Sequence, residues 1–432
     1  MDPWSLHAST YSPRPAKLQA PRQRAEIQNR WLRVRLEELL PKLMARAGLE
    51  MWIVVARENN EDPVAMTFLP APLLSARRRT ILVFCRRGDG SVERFIVSRY
   101  GVGDLYQAAW DAQGETEWAC LRRLVAQQDP SSIGVNVSAN HALADGLSHN
   151  EHGELAAALG EPYAARLQSA QALALGWLEA RSQDEVQAYA GIVELAHALN
   201  AEALSSRTVH PGVTTTDDLV WWYRQRMEEL GLRPWFHPTV DIQAAGLPAR
   251  SPAAADEPPR KVILPGDLIH TDVGFEYLGL CTDVQQNAYV LRLGESAAPP
   301  GLRAALADGN RTQEIVLEEM RQGRSGNEVF LAALARCQAE DLRSSIYCHP
   351  IGYHGHGAGP SIGMWDQQAA LPGKGDYPLY PSTCYAIELN AVRTVPEWQG
   401  QEVTMALEED AVFTGSETVW LDGRQAALYL IR

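Results

Sequence analysis

The sequence predicts an α+β protein of two domains: a mixed α/β unit first, then a unit of helices and acid-bearing strands. Helix-like and strand-like patterns alternate as far as about residue 170. At about residue 175 they give way to two long amphipathic helices, followed by apolar strand runs that each carry a carboxylate. The length agrees, because 432 residues exceed what one core ordinarily organises.

Residues 1–20 are rich in Pro, Ser and Arg and are expected to form an arm, with the first domain over 21–175 and the second over 176–432. Within 25–47, Ile27, Trp31, Leu32, Val34, Leu36, Leu39 and Leu40 recur at helical spacing, and Gly48 closes the helix. Residues 51–55 and 80–84 read as strands, and Gly88-Asp89-Gly90 reads as a hairpin turn into a strand at 92–97. Ser182-Gln183-Asp184-Glu185 is a capping box that opens a helix running to about Arg207. His210-Pro211-Gly212 breaks that pattern, and Thr216-Asp217-Asp218 opens a second helix through Leu230. No short fixed-period repeat is visible.

Composition narrows the function classes. Hydrophobic residues make up 46% and charged residues 21%, with a net charge of −14. A nucleic-acid partner needs a basic stripe, and the short basic stretches 22–35 and 77–87 do not supply one. The six cysteines, Cys85, Cys120, Cys281, Cys337, Cys348 and Cys384, form no CxxC pair, so buried free thiols are expected rather than a zinc ribbon. The opening MDPWSLHASTYSPRPAK has no apolar signal core, and no apolar run approaches a membrane span. A cytoplasmic setting without a membrane partner is expected.

The carboxylates carry the chemistry. Residues 262–284 alternate apolar and polar positions around a Gly-containing centre, as two antiparallel strands and their connection would. Asp272 and Asp283 stand eleven positions apart, one on each strand. Neighbouring like charges in a half-buried sheet need a counter-charge. Glu388 lies inside the apolar run Tyr385-Ala386-Ile387-Glu388-Leu389, and Glu408 inside Met405-Ala406-Leu407-Glu408-Glu409-Asp410-Ala411-Val412. Four carboxylates with one neutral imidazole are balanced by two divalent cations. Oxygen-rich ligation with one nitrogen suits Mn²⁺ first, with Co²⁺ or Zn²⁺ as alternatives. Two such ions about 3.5–4 Å apart share a water and lower its pKa.

The stretch His354-Gly355-His356-Gly357-Ala358-Gly359-Pro360-Ser361-Ile362-Gly363 can be parsed in two ways. Gly359-Pro360-Ser361-Ile362-Gly363 fits the G-x-S-x-G elbow of a serine hydrolase, whose base follows the serine along the chain. No histidine follows His356, so that parse lacks its base. Gly355-His356-Gly357-Ala358-Gly359 reads instead as a histidine held close to backbone. His354 stands two residues away as a substrate donor or as the alternative ligand.

With LIHTDVGFEYLGLCTDV, GHGAG, YAIELNAV and LEEDAVFT in place, the chain from about Ala180 onward resembles the M24 metallopeptidases. These are the pita-bread enzymes that include Xaa-Pro aminopeptidase, prolidase and methionine aminopeptidase. The preceding α/β region resembles the smaller N-terminal domain of the creatinase and aminopeptidase branch. The resemblance implies that Asp272 holds one ion, Asp283 and Glu408 bridge two, and His356 and Glu388 hold the other. It also implies that Glu388 shuttles a proton from a bridging water to the leaving amine, and that the chain forms a homodimer acting on short peptides, with Xaa-Pro bonds as the expected target.

Three departures from the family pattern fall on substrate-handling groups. The second histidine of HxxGxxxH, counted from His356, would be Gly363. The stretch 246–251 upstream of Asp272 holds no histidine, and Ala406 stands where prolidase-like members carry arginine. Tyr353, His354, His349 and His237 are the donors available instead, with Tyr353 and His354 the expected catalytic ones and His349 expected to be structural. His270 shares a strand face with Asp272 and is expected to support it. Trp235, Phe236, Tyr353, Trp365, Tyr377, Tyr380 and Tyr385 offer an aromatic surround suited to proline. The competing readings are a non-catalytic M24-like module that binds peptide or protein, and a creatinase-like hydrolase working without metal.

Overall fold

The structure, a computed structural model, describes residues 18–247 and 261–432. The expected arm therefore lies outside the described residues as far as residue 17, and so do residues 248–251 of the segment searched for a histidine. The chain divides into two compact units, Gln19–Ser182 and Gln183–Arg432. Among the described residues no helix is long and apolar enough to cross a membrane. All six cysteines are buried and none is in a disulfide.

In the first unit, a six-stranded mixed sheet runs in the order Gln107–Ala108, Val92–Val97, Arg79–Arg86, Met51–Arg57, Ile133–Val135, Leu167–Ser169. Alternation sorts its side chains onto two buried faces. Met51, Ile53, Val83 and Cys85 pack with Leu121, Leu124 and Leu155 of two covering helices. On the other face Trp52 and Phe84, cross-strand partners, meet Phe68, which stacks on Trp177 at 4.1 Å. The first helical pattern is realised as Pro21–Val34 and Leu40–Ala47 with a π turn, Arg35–Leu39, between them. Pro41 has no N–H to continue the ladder, which accounts for the bulge. The buried Arg35 there donates to the carbonyls of Ala180, at 2.6 Å, and Trp177.

The second unit opens on the expected helices, Gln183–Ala203 and Thr216–Leu230. The first stops short of Arg207 because the Ser205 and Thr208 hydroxyls both donate to the Glu202 carbonyl and compete with further helix. Seven strands position the site. β1 (Thr239–Gln243), β2 (Leu268–Val273) and β3 (Val284–Val290) are neighbours in one antiparallel array, which Tyr429–Ile431 extends. Between β2 and β3 the chain turns through the short strands Phe275–Tyr277 and Leu280–Cys281, with Leu278 and Gly279 both at positive φ, as a tight hairpin turn requires.

The second sheet is built on β5 (Thr383–Val395), paired with β4 (Ser344–Ile351) on one side and with β6 (Gln401–Leu407) and β7 (Asp410–Phe413) on the other. One face of this sheet is apolar. Ile346, Cys348, Ile387 and Leu389 pack against Ile315, Val316 and Phe330 of the helices Pro300–Glu319 and Gly326–Ala339. The residues that alternate with them, Tyr347, His349 and Glu388, face the other way. Gln285 and Glu408 exchange backbone hydrogen bonds at 3.0 and 3.2 Å, which ties the two sheets together.

Candidate metal centre

The sheets bring the four acids together: Asp272 and Glu388 lie within strands, whereas Asp283, expected on a strand, immediately precedes β3 and Glu408 falls between β6 and β7. Asp272 on β2 lies cross-strand from Gln285 on β3, and Asp283, two residues before Gln285, shares its face. Glu388 projects from β5 opposite Tyr347. The run Glu408-Glu409-Asp410 is sorted the same way. Glu408 and Asp410 turn toward Asp283, whose N–H donates to Asp410 Oδ2 at 3.2 Å. Glu409 turns away and accepts from Gln286 Nε2 at 3.0 Å and from the Gln425 N–H at 2.8 Å.

Three overlapping sets of side chains converge, each with ligand atoms within 4.8 Å of one another: Asp272, Asp283 and Glu408; His349, Glu388 and Glu408; and Asp283, His349 and His356. Asp283, Glu408 and His349 each belong to two of the sets. The imidazole nearest the acids is His349, expected from sequence to be structural, with Nε2 3.4 Å from Glu408 Oε1 and 3.7 Å from Asp283 Oδ2. Its Nδ1 lies 3.1 Å from the Pro350 carbonyl. A carbonyl only accepts, so Nδ1 carries the proton and Nε2 turns a lone pair toward the carboxylates. Burial holds His349 below the ordinary histidine pKa.

His356 is exposed and one ring further out, 4.8 Å from His349 between ring centroids. The glycines beside His356 serve loop packing. A Cβ on Gly355 would stand 2.3 Å from Trp235, and one on Gly357 would stand 2.6 Å from the Pro350 carbonyl oxygen. Tyr353 donates its hydroxyl to Glu185 at 3.2 Å, and the His354 carbonyl accepts from the Gly352 N–H at 3.2 Å. Neither residue belongs to the converging sets found among the described residues.

Electrostatics expose what the cluster lacks. Burial is the largest influence on every acid; neighbouring carboxylates add to it at Asp283, Glu388 and Glu408, whereas at Asp272 a hydrogen bond with Asp283 partly offsets it. Asp272 is pushed up to about 7 and Glu388 to about 9, and Asp283 and Glu408 are raised well above the carboxylate range. Asp272 Oδ1, Asp283 Oδ1, Glu408 Oε1 and His349 Nε2 are buried without a hydrogen-bond partner. Buried acceptors left without partners in one cluster need a cation. The carboxylate-rich donor set with an imidazole fits divalent ions of the hard to borderline kind.

Tyr347 escaped the sequence reading, and His349 was named there only as an available donor expected to be structural. Counting seven back from His356 finds His349, and period two along β4 places Tyr347 on the same face. The Tyr347 ring lies 5.2 Å from His349 and 6.2 Å from His356. Of the aromatic residues named from sequence, Trp235 lies 5.3 Å from His356 and packs on Phe236 at 4.5 Å. Tyr377 and Tyr380 pair with each other at 5.6 Å, Tyr385 is fully buried and Trp365 is exposed. His270, on the Asp272 face as expected, lies 2.9 Å from Gln285 Oε1 through Nε2.

Ser361 sits in a loop, with its N–H on the Lys374 carbonyl at 3.2 Å. Ser361→Ala should leave peptide hydrolysis within about twofold, as a replacement away from the reacting groups does. Near-complete loss with metal content intact would revive the serine mechanism.

Behind Glu408, His197 bridges two acids, with Nε2 2.6 Å from Glu409 and Nδ1 2.7 Å from Asp422. Both partners only accept, so both nitrogens carry protons. Burial pulls this histidine down, but the charges and hydrogen bonds of Glu409 and Asp422 outweigh it and raise the pKa to about 10. The stabilisation is therefore full below the unfolded pKa of about 6.5 and disappears as pH rises toward about 10. Thermal melts of wild type and His197→Gln should differ most near pH 6 and converge toward pH 10. A gap that widens with pH would refute the doubly protonated bridge.

The sequence model described as metallopeptidase family M24 matches residues 191–415. No curated protein matches the chain by sequence. Among solved structures, an X-Pro aminopeptidase from Thermotoga maritima is similar at 15% identity and a TM-score of 0.63, covering 90% of this chain and 99% of that one. An Xaa-Pro dipeptidase from Bacillus anthracis is similar at 14% identity and 0.59, covering 95% and 100%. The N-terminal domain of the FACT complex subunit SPT16 from Cicer arietinum is similar at 12% identity and 0.55, covering 94% and 99%. At these identities the likenesses speak to the fold.

Proposed function

Because this chain belongs to metallopeptidase family M24, we propose that it is a dinuclear exopeptidase that hydrolyses short peptides at Xaa-Pro bonds. The observation that carries this reading is the set of four partnerless buried acceptors on Asp272, Asp283, Glu408 and His349. Asp272 with Asp283 and Glu408 would hold one ion, and His349 with Glu388 and the same two carboxylates would hold the other. His349 replaces His356 as the imidazole ligand. Counted from His349, the spacing His349-x-x-Gly352-x-x-x-His356 is the HxxGxxxH that is missing when His356 is taken as the ligand. His356 then becomes the exposed donor to substrate.

Two divalent ions held here would polarise the scissile carbonyl and lower the pKa of a water that attacks it. The chain's own residues do the rest. Glu388, with Oε1 held by Gln285 at 3.1 Å, takes a proton from the attacking water and returns it to the leaving amine. His356 steadies the oxyanion as it forms. The acidic cluster favours a substrate with a free N-terminal amine, and Trp235, Phe236 and Tyr347 supply apolar surface for a proline ring. Manganese is the proposed metal, with a homodimer in the cytoplasm as the working form. A metal-free, creatinase-like mechanism would leave the four acceptors uncompensated.

The test strips the protein with a chelator, restores Mn²⁺, Co²⁺ or Zn²⁺ singly, and follows Xaa-Pro dipeptides and Xaa-Pro-containing tripeptides. Activity should return with about two equivalents of metal, and the dipeptide-to-tripeptide ratio separates dipeptidase from aminopeptidase. Tight metal binding without cleavage of any peptide would favour a binding module.

A further inference from the structure

We propose that Gln285, itself held by His270, is a positioning residue that sets the orientation of Glu388 and Glu408 for metal. This inference rests on the reading of the acidic cluster as a metal centre. Gln285 lies on β3, cross-strand from Asp272, and its backbone is bonded to that of Glu408 in both directions. Its side chain is buried and reaches into the gap between the two glutamates. Nε2 lies 2.8 Å from Glu408 Oε2 and 3.1 Å from Glu388 Oε1. Carboxylates only accept, so the amide must present its NH₂ group to them. The amide oxygen then faces His270 Nε2 at 2.9 Å, and that nitrogen must carry the proton. Both ends of the amide are thereby fixed, and a flip would set acceptor against acceptor.

The consequence falls on the other oxygens of the glutamates. With Oε2 of Glu408 engaged by Gln285, Oε1 is the atom turned toward His349 Nε2, and Oε1 is the partnerless one. One neutral amide thus joins two mutually repelling carboxylates from different strands and selects the orientation in which a lone pair of each set converges. Gln285 is not itself a ligand here, because its only acceptor oxygen is turned to His270. Asn287, the next residue on the same face, is used differently: its Nδ2 donates to the Ala406 carbonyl at 2.7 Å and steadies the strand that leads into Glu408.

The test is a Mn²⁺ titration of the full chain by equilibrium dialysis with elemental analysis, run on wild type, Gln285→Leu, His270→Phe and the double variant, alongside kcat, KM and the metal-free melting temperature. Gln285→Leu should bind Mn²⁺ about 10- to 100-fold more weakly, as loss of a group that orients metal ligands does, with kcat falling and KM little changed. His270→Phe should lose less, and the double variant no more than Gln285→Leu alone, because both act through one amide. Gln285→Asn keeps the amide but shortens its reach, and should show the same weakening if the leucine variant does not fold. Wild-type affinity in Gln285→Leu or Gln285→Asn, or losses that add in the double variant, overturns the inference alone. A wild-type chain that takes up no metal overturns the metal reading, and this inference with it.

Discussion

Asp283→Asn and Glu408→Gln should each reduce peptide hydrolysis by about a thousandfold or more, the effect of losing several kcal/mol of charge stabilisation at the reacting atoms. Both residues belong to two of the converging sets, so on the proposed dinuclear reading each change would remove an anionic ligand shared by both ions. Each substitution is nearly isosteric, so the fold should survive. Burial and neighbouring carboxylates already push both acids well above the carboxylate range, and neutralising one relieves that repulsion. The metal-free melting temperature should therefore hold or rise while metal content and activity fall. Activity assays, elemental analysis and melts on the same preparations check this. A variant with full metal content and near wild-type turnover would show that the shared carboxylates are not bridging ligands.

His349→Ala and His356→Ala should separate two roles that the sequence left entangled. His349 turns a lone pair toward Glu408 and Asp283, so its loss should weaken metal binding by about a hundredfold or more, beyond the usual effect of an outer group. His356 is exposed and one ring removed. Its loss should leave metal content at the wild-type level and lower kcat by about 100- to 1000-fold, the range for removing one oxyanion donor. Elemental analysis and single-turnover kinetics distinguish the two. Full metal content in His349→Ala, with metal lost in His356→Ala, would return the ligand role to His356.

Much of the architecture was legible in the chain because it depends on local periodicity. The helix-closing Gly48, the strands expected at 51–55 and 80–84 and found at Met51–Arg57 and Arg79–Arg86, and the turn at Gly90 follow from spacing and backbone freedom. Glu388 was legible for a related reason, since a carboxylate among strand apolars stands out wherever it folds. The π turn was not legible, because a continuous apolar stripe hides a missing N–H at Pro41.

The histidine and the polar support of the acids show where sequence reading stops. By itself the sequence singled out the four acids and the apolar segments that hold them, and from these the expectation of positive charge among them. These are properties of residue type and of alternation within one segment. The glycines around His356 are a real signal of close approach, but the approach is to Trp235 and the Pro350 carbonyl. Only the tertiary structure decided that His349 faces Glu408, that Glu409 turns to His197 instead, and that Gln285 spans Glu388 and Glu408. Each of those is a contact between segments far apart along the chain, from a helix in the case of His197 and from strands or the turns beside them in the others. No periodicity within a single strand encodes which residue of another sheet its side chains will meet.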